Sequence, residues 1–158
     1  MFKSVKIPEE RLAVLIGERG ATKRLIQKKT KTKITVGEEI IIEGDALDVL
    51  TAESIVKAIG RGFSPPSALL LLDEENCFDL VQLPDNKKTR KRICARLIGT
   101  KGKARRNLEH LTKTRISVYG KTVGIIGSYD DTEKAKTAIE NLIGGFSHRS
   151  VYELLEKK

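Results

Sequence analysis

Apolar and polar residues alternate along SVKIP (4–8), the two-residue period of a half-buried strand. RLAVLIG (11–17) then concentrates apolar residues into a short helical segment, which the turn Gly17-Glu18-Arg19-Gly20 interrupts. ATKRLIQKKT (21–30) predicts a second helix, with Leu25 and Ile26 on its inner face and Lys23, Arg24, Lys28 and Lys29 outward. KITVG (33–37) and EIIIEG (39–44) predict two strands. DALDVLTAESIVKAIGR (45–61) starts with Asp and spaces Leu47, Leu50, Ile55, Val56 and Ile59 as a longer amphipathic helix does.

The same order returns in CFDLVQLP, KKTRKRICARLIG, KARRNLEHLTK, RISVYG, TVGIIG and DDTEKAKTAIENLIG, where Asp130 and Asp131 favour the helix start through its dipole. The repetition extends to residue identity. LIGERGATKRLIQKKTKTKITV (15–36) and LIGTKGKARRNLEHLTKTRISV (97–118) share 10 of 22 residues at a spacing of 82. With one residue inserted, the match resumes at Gly44/Gly127 and at the triplets Gly62-Phe63-Ser64 and Gly145-Phe146-Ser147. One unit is used twice, and the expected domains are 1–74 and 75–158. The joining segment SPPSALLLLDEE predicts a short helix begun by a Ser cap and two prolines. Four consecutive leucines are too many for one face, so it is expected to be buried on more than one side.

Charge adds a direction to this frame. The formal net charge is +9, yet residues 87–115 hold twelve Lys or Arg against Glu109 alone, and residues 11–33 hold eight against Glu18 alone. The remainder is net acidic, so positive charge gathers around the same turn in each copy, as a surface for a polyanion would. No run of 18 apolar residues and no apolar leader core occurs, which sets the expectation of a soluble, cytoplasmic protein without a membrane partner. Cys77 and Cys94 lack metal or disulfide spacing and read as reduced thiols. Two Gln, four Asn and one Met among many Lys, Glu and Ile lean towards hyperthermophile usage.

Catalytic chemistry finds little support. Gly102-Lys103 is followed by Ala104 and has Leu97 where a phosphate-binding P-loop needs its first glycine. No dinucleotide fingerprint is present, His110 and His148 stand alone, and the serines lack a base partner. The expectation is a binder, not an enzyme, with no cofactor and no metal site.

Two helices around Gly-x-x-Gly, a basic second helix and a Thr-Lys-Thr-(Lys/Arg)-Ile strand entry resemble the KH domain over nearly the whole chain. The resemblance implies an α+β fold of two type I KH domains (β-α-α-β-β-α), each a three-stranded antiparallel sheet packed on three helices. It also implies that the glycine turns clamp about four nucleotides of single-stranded RNA, since glycine lets the backbone approach a sugar-phosphate chain and the next helix offers amides to phosphate. The RNA-binding residues expected on this basis are Gly99, Thr100, Lys101, Gly102, Lys103, Arg105 and Arg106, bordered by Arg96 and Arg115, and in the first copy Gly17, Glu18, Arg19, Gly20, Lys23 and Arg24. Glu18 repels phosphate, so the second domain is expected to be the tighter site and the first a weaker RNA site or a protein-facing one. Ile93, Leu97, Ile98, Ile116 and Val118 stand as the apolar wall of the groove, with ordinary core as the commoner role for any one of them.

The second copy, with Gly-Ser after its last strand and Ala-x-x-Ala-Ile-x-Asn-Leu-Ile in its last helix, is similar to the ribosome-assembly KH proteins of the Dim/Pno group, nearest their archaeal form. That similarity implies binding near the 3′ end of small-subunit (16S) rRNA within a small-subunit precursor, beside a Nob-type PIN-domain endonuclease, with a translation factor as a further partner. Eukaryotic members lack the glycines of the first loop, whereas Gly17 and Gly20 are present here. A monomer is expected. The rival readings are a general KH module of an RNA-decay assembly and a protein-docking scaffold for assembly or translation factors.

Overall fold

The computed structural model describes residues 1–157. The chain separates into two compact units, Met1–Glu74 and Glu75–Lys158. The first contains β1 (Phe2–Val5), α1 (Glu9–Ile16), α2 (Ala21–Thr30), β2 (Lys33–Val36), β3 (Ile40–Glu43), α3 (Ala46–Gly60) and α4 (Pro65–Ala68), extended by a 3-10 turn over Leu69–Leu72. The second contains β4 (Asn76–Gln82), α5 (Lys87–Ile98), α6 (Lys103–Thr112), β5 (Arg115–Tyr119), β6 (Thr122–Ser128), α7 (Tyr129–Ile143) and α8 (His148–Glu156). Each copy is therefore strand-helix-helix-strand-strand-helix, the order that the period changes predict, with one further helix, and the mixed α+β class is the one the resemblance implies.

Each sheet is antiparallel with the third strand of its copy in the middle, in the orders β1-β3-β2 and β4-β6-β5. In the first unit Val5 pairs with Ile40 and Ile34 with Ile42, and all four are buried, so the alternation turns one face of the sheet to the helices. In the second, Val81, Ile116, Val123 and Ile125 join Ile93 and Leu97 of α5, Leu108 of α6, Ile139 and Leu142 of α7 and Val151 of α8 in one core. The second strand of each copy, β2 or β5, is an edge strand, and it runs beside the helix that follows the glycine turn.

Several details depart from the sequence pattern. The first strand ends at Val5, not at Pro8. Pro8 has no amide for a ladder and caps α1 instead, while Ile7 packs so close to Gly60 that a Cβ there would lie 2.5 Å from Ile7 Cγ2. Leu25 is exposed, because the buried side of α2 is only the Ile26/Thr30 stripe. Leu47 and Leu50 are exposed as well; α3 buries Val49, Ala52, Ile55, Val56 and Ile59. Ser64 holds the cap position of α4 without bonding a backbone amide, its hydroxyl donating to Ser67 Oγ at 3.3 Å. Ala68 and Leu71 are buried in the leucine segment, which packs on α2 and α3 of its own unit, and Leu70 is exposed. Among the described residues no helix is long and apolar enough to cross a membrane.

Candidate nucleic-acid interface

The two glycine turns have one geometry. Gly17 and Gly99 have φ 74° and 73°, Arg19 and Lys101 φ 53° and 54°, and Gly20 and Gly102 φ 76° and 75°. The first glycine is demanded by space as well as by φ. A Cβ on Gly99 would lie 2.7 Å from Ala104 Cβ and 2.8 Å from Ala104 N, and one on Gly17 would lie 2.8 Å from Thr22 N. The turn thus brings the start of α2 or α6 against the end of α1 or α5 more closely than any side chain allows. Neither α2 nor α6 has a side-chain cap or an acid in its first turn, whereas α7 has both Ser128 as cap and Asp130 and Asp131. The first amide of each helix, that of Ala21 or Lys103, donates within the turn to the carbonyl of Glu18 or Thr100, and the positive end of the dipole has no acidic side chain of its own helix set against it.

Behind the turn sits a second duplicated set. Arg24 Nη1 donates to the Arg19 carbonyl at 2.6 Å and Arg106 Nη1 to the Lys101 carbonyl at 2.7 Å. Gln27 Oε1 accepts from Ile34 N and Glu109 Oε2 from Ile116 N, each at 2.8 Å, which ties the helix to the edge strand. The Thr-Lys-Thr passage between them is a polar knot: Thr112 Oγ1 donates to the Leu108 carbonyl at 2.6 Å and lies 2.7 Å from Thr114 Oγ1, and Thr30 and Thr32 repeat the arrangement at 2.7 Å. Gly44 and Gly127 follow from it, since Cβ atoms there would meet Thr32 Cγ2 at 3.2 Å and Thr114 Cγ2 at 2.9 Å. Gln27, Glu109 and these threonines were not among the expected site residues; the threonines were signalled by their identity in the two copies, whereas Gln27 and Glu109 differ.

The expected RNA-binding residues divide into two sets. Thr100, Lys101 and Lys103 are exposed around the second turn, and Arg115 is exposed at the start of β5; none of the three cations has an ion-pair partner among the described residues. In the first unit Glu18 and Arg19 take the places of Thr100 and Lys101, Ala21 that of Lys103 and Lys33 that of Arg115, while Lys23, half-buried, matches Arg105. Arg105 is paired with Glu109 at 2.9 Å, and Arg24 and Arg106 brace the turns. Arg96 faces the end of α7, donating to the carbonyls of Leu142 at 2.8 Å and Phe146 at 2.7 Å. Arg11 holds the matching carbonyls of Ile59 and Phe63 from one turn earlier in its helix, each at 2.8 Å. Of the apolar set, Ile93, Leu97 and Ile116 are core, Val118 packs on the core part-buried, and Ile98 alone is exposed, beside the turn.

Residues 74–158 match the eukaryotic type KH-domain (KH-domain type I) model for the second domain of PNO1, and residues 3–58 match the KH domain model. The chain belongs to the KH-domain family. Within it the chain sits in the Dim2/PNO1 branch. A KH domain-containing protein of Methanocaldococcus jannaschii is 38% identical over 98% of this chain and 72% of its own length. The RNA-binding protein pno1 of Drosophila pseudoobscura is 33% identical over 82% of this chain, which spans only about half of that relative, 55%. The solved complex of Dim2p with a/eIF2alpha and rRNA from Pyrococcus horikoshii contains a chain 46% identical, covering 99% of this one and 93% of its own, with a TM-score of 0.93. The two units are accordingly KH domain 1 and KH domain 2.

Proposed function

We propose that this protein is a ribosome-biogenesis factor that holds single-stranded RNA near the 3′ end of small-subunit rRNA in its glycine loops and presents it for maturation. The observation that carries this reading is the loop of KH domain 2: a braced turn with exposed Thr100 and Lys101, followed by an uncapped helix start, and with Lys103 and Arg115 unpaired beside it. The similarity to a Dim2p chain solved with rRNA supports the choice of RNA class.

KH domain 1 has the same loop torsions within a few degrees and the same arginine brace, which supports reading it as a second RNA clamp. Glu18 makes it the weaker one. The protein has no reaction of its own; a Nob-type endonuclease acts on the RNA it holds, and a translation factor is a further partner. It works in the cytoplasm as a monomer.

The test is a fluorescence titration with single-stranded RNA from the 3′ end of small-subunit rRNA, an unrelated single strand of equal length, and a duplex. Preference for the rRNA end, with a log-log salt slope of roughly −3 for about four clamped phosphates per loop, supports the reading. Equal affinity for all three RNAs, or a slope near zero, sinks it.

A further inference from the structure

Helix α5 carries four cations for which the loop has no use. Lys87, Lys88, Lys91 and Arg92 are all exposed, and none forms an ion pair or hydrogen bond with another described residue. At 3.6 residues per turn they share the side of α5 opposite buried Ile93 and Leu97. Arg90, the remaining cation of the run, is used differently: its Nη1 donates to the Asp85 carbonyl at 2.8 Å and fastens the chain entering the helix. Beyond Arg92 the same face is apolar, with exposed Ala95 and Ile98, and it ends at the Gly99 turn, about 15 Å along the helix from Lys88.

The duplication shows that the fold does not choose this charge. At the spacing of 82, Lys91 and Arg92 stand where the first copy has Glu9 and Glu10, the start of α1. α5 begins earlier, at Lys87, so KH domain 2 has an added turn, and that turn is basic. Glutamates at a helix start agree with the helix dipole, whereas cations there oppose it. The second copy therefore holds positive charge against the local preference, on an open face continuous with its loop.

We infer that this face of α5 is a second RNA contact, which holds backbone phosphates of the strand lying outside the nucleotides clamped at Gly99–Gly102. The inference rests on the RNA-holding reading above and adds to it a longer footprint on KH domain 2 alone. RNA is the occupant because the same exposed face of α5 runs on through Ala95 and Ile98 to the loop and carries no acidic residue.

The test uses the full chain with Lys87→Ala, Lys88→Ala, Lys91→Glu and Arg92→Glu combined; the last two changes install the residues of the first copy. Two RNAs are titrated: one of about five nucleotides that fills only the loop clamp, and one of about fifteen containing it. At 0.1 M salt charges farther apart than about 10 Å are screened, so the short RNA is expected to change by less than about threefold. The long RNA is expected to lose at least about tenfold in affinity, with a log-log salt slope shallower by roughly 2 to 3. Unchanged affinity and slope for the long RNA, or an equal loss on both RNAs, overturns the inference. Unchanged RNA binding with lost binding to polyglutamate assigns the face to an acidic protein partner and overturns it too. If the unmodified protein binds neither RNA, the RNA-holding reading itself falls; if it binds both and the variant matches it, only the α5 contact does.

Discussion

Arg106 holds its own glycine turn from behind: its Nη1 donates to the carbonyl of Lys101, a residue with φ 54°. A left-handed non-glycine residue is disfavoured by about 1–2 kcal/mol, and the guanidinium offsets part of that while fixing the direction of the loop. Arg106→Gln is expected to weaken single-stranded RNA binding by roughly fivefold, about 1 kcal/mol, with the salt slope unchanged, because a brace neutralises no phosphate. Lys101→Ala is expected to make the slope shallower by about 0.7. Titration across salt concentrations separates the two; a shallower slope for Arg106→Gln would make that arginine a phosphate ligand.

The two glycines of the second turn are unequal. Gly99→Ala drives a Cβ to within 2.8 Å of the Ala104 backbone nitrogen, whereas Gly102→Ala meets first the Arg106 guanidinium at 3.2 Å, a side-chain end that can shift by a few tenths of an ångström where backbone cannot. Thermal unfolding is expected to show a loss of about 2–4 kcal/mol for Gly99→Ala and about 1 kcal/mol for Gly102→Ala. Equal losses would contradict the close approach of α6.

The polar knot predicts a stability effect that needs no RNA to be read. Thr112→Val leaves buried Thr114 Oγ1 without its partner and is expected to destabilise by about 1–3 kcal/mol. Glu109→Gln, which converts the second copy to the residue of the first at Gln27, is expected to cost less than about 1 kcal/mol, because the bond to Ile116 N survives and only the partly exposed Arg105 pair is lost. Denaturant titration of both variants checks the order.

The order of elements was legible in the sequence because the repeat presents each pattern twice and the periods switch at glycines. The loops were legible too, since Gly-x-x-Gly followed by a basic helix constrains few other structures. What each arginine does was not. Arg96, Arg105, Arg106 and Arg115 look alike in sequence, yet Arg96 reaches carbonyls about fifty residues away and Arg105 pairs one turn along its helix. Such partners depend on tertiary placement, which no local pattern encodes. Leu25 and Leu47 failed for a related reason: the periodicity finds an apolar stripe but not its limits, and α2 buries only Ile26 and Thr30 while Leu47, in the first turn of α3, lies outside the buried set that begins at Val49.

Cys94 packs part-buried against the core of KH domain 2, and burial pushes its thiol above the ordinary value, with Arg90 pulling weakly the other way. The raised value means that the protonated thiol is the form the fold favours. Its contribution to stability is therefore complete below the ordinary thiol value and is lost as pH rises through the raised one. Alkylation at neutral pH is expected to be slower at Cys94 than at a free thiol in solution, and mass-spectrometric time courses read this directly. Reaction as fast as a free thiol would place the sulfur in water.

The central claim is that the loops clamp RNA and that the second does so more strongly. The direct test compares single-stranded RNA binding of the unmodified protein with Thr100→Asp/Lys101→Asp and Glu18→Asp/Arg19→Asp, both of which keep the glycines. The account predicts that the second-loop variant loses most of the affinity, roughly tenfold or more, and the first-loop variant a smaller part. Undiminished affinity in both variants would contradict it and leave the turns as helix ends.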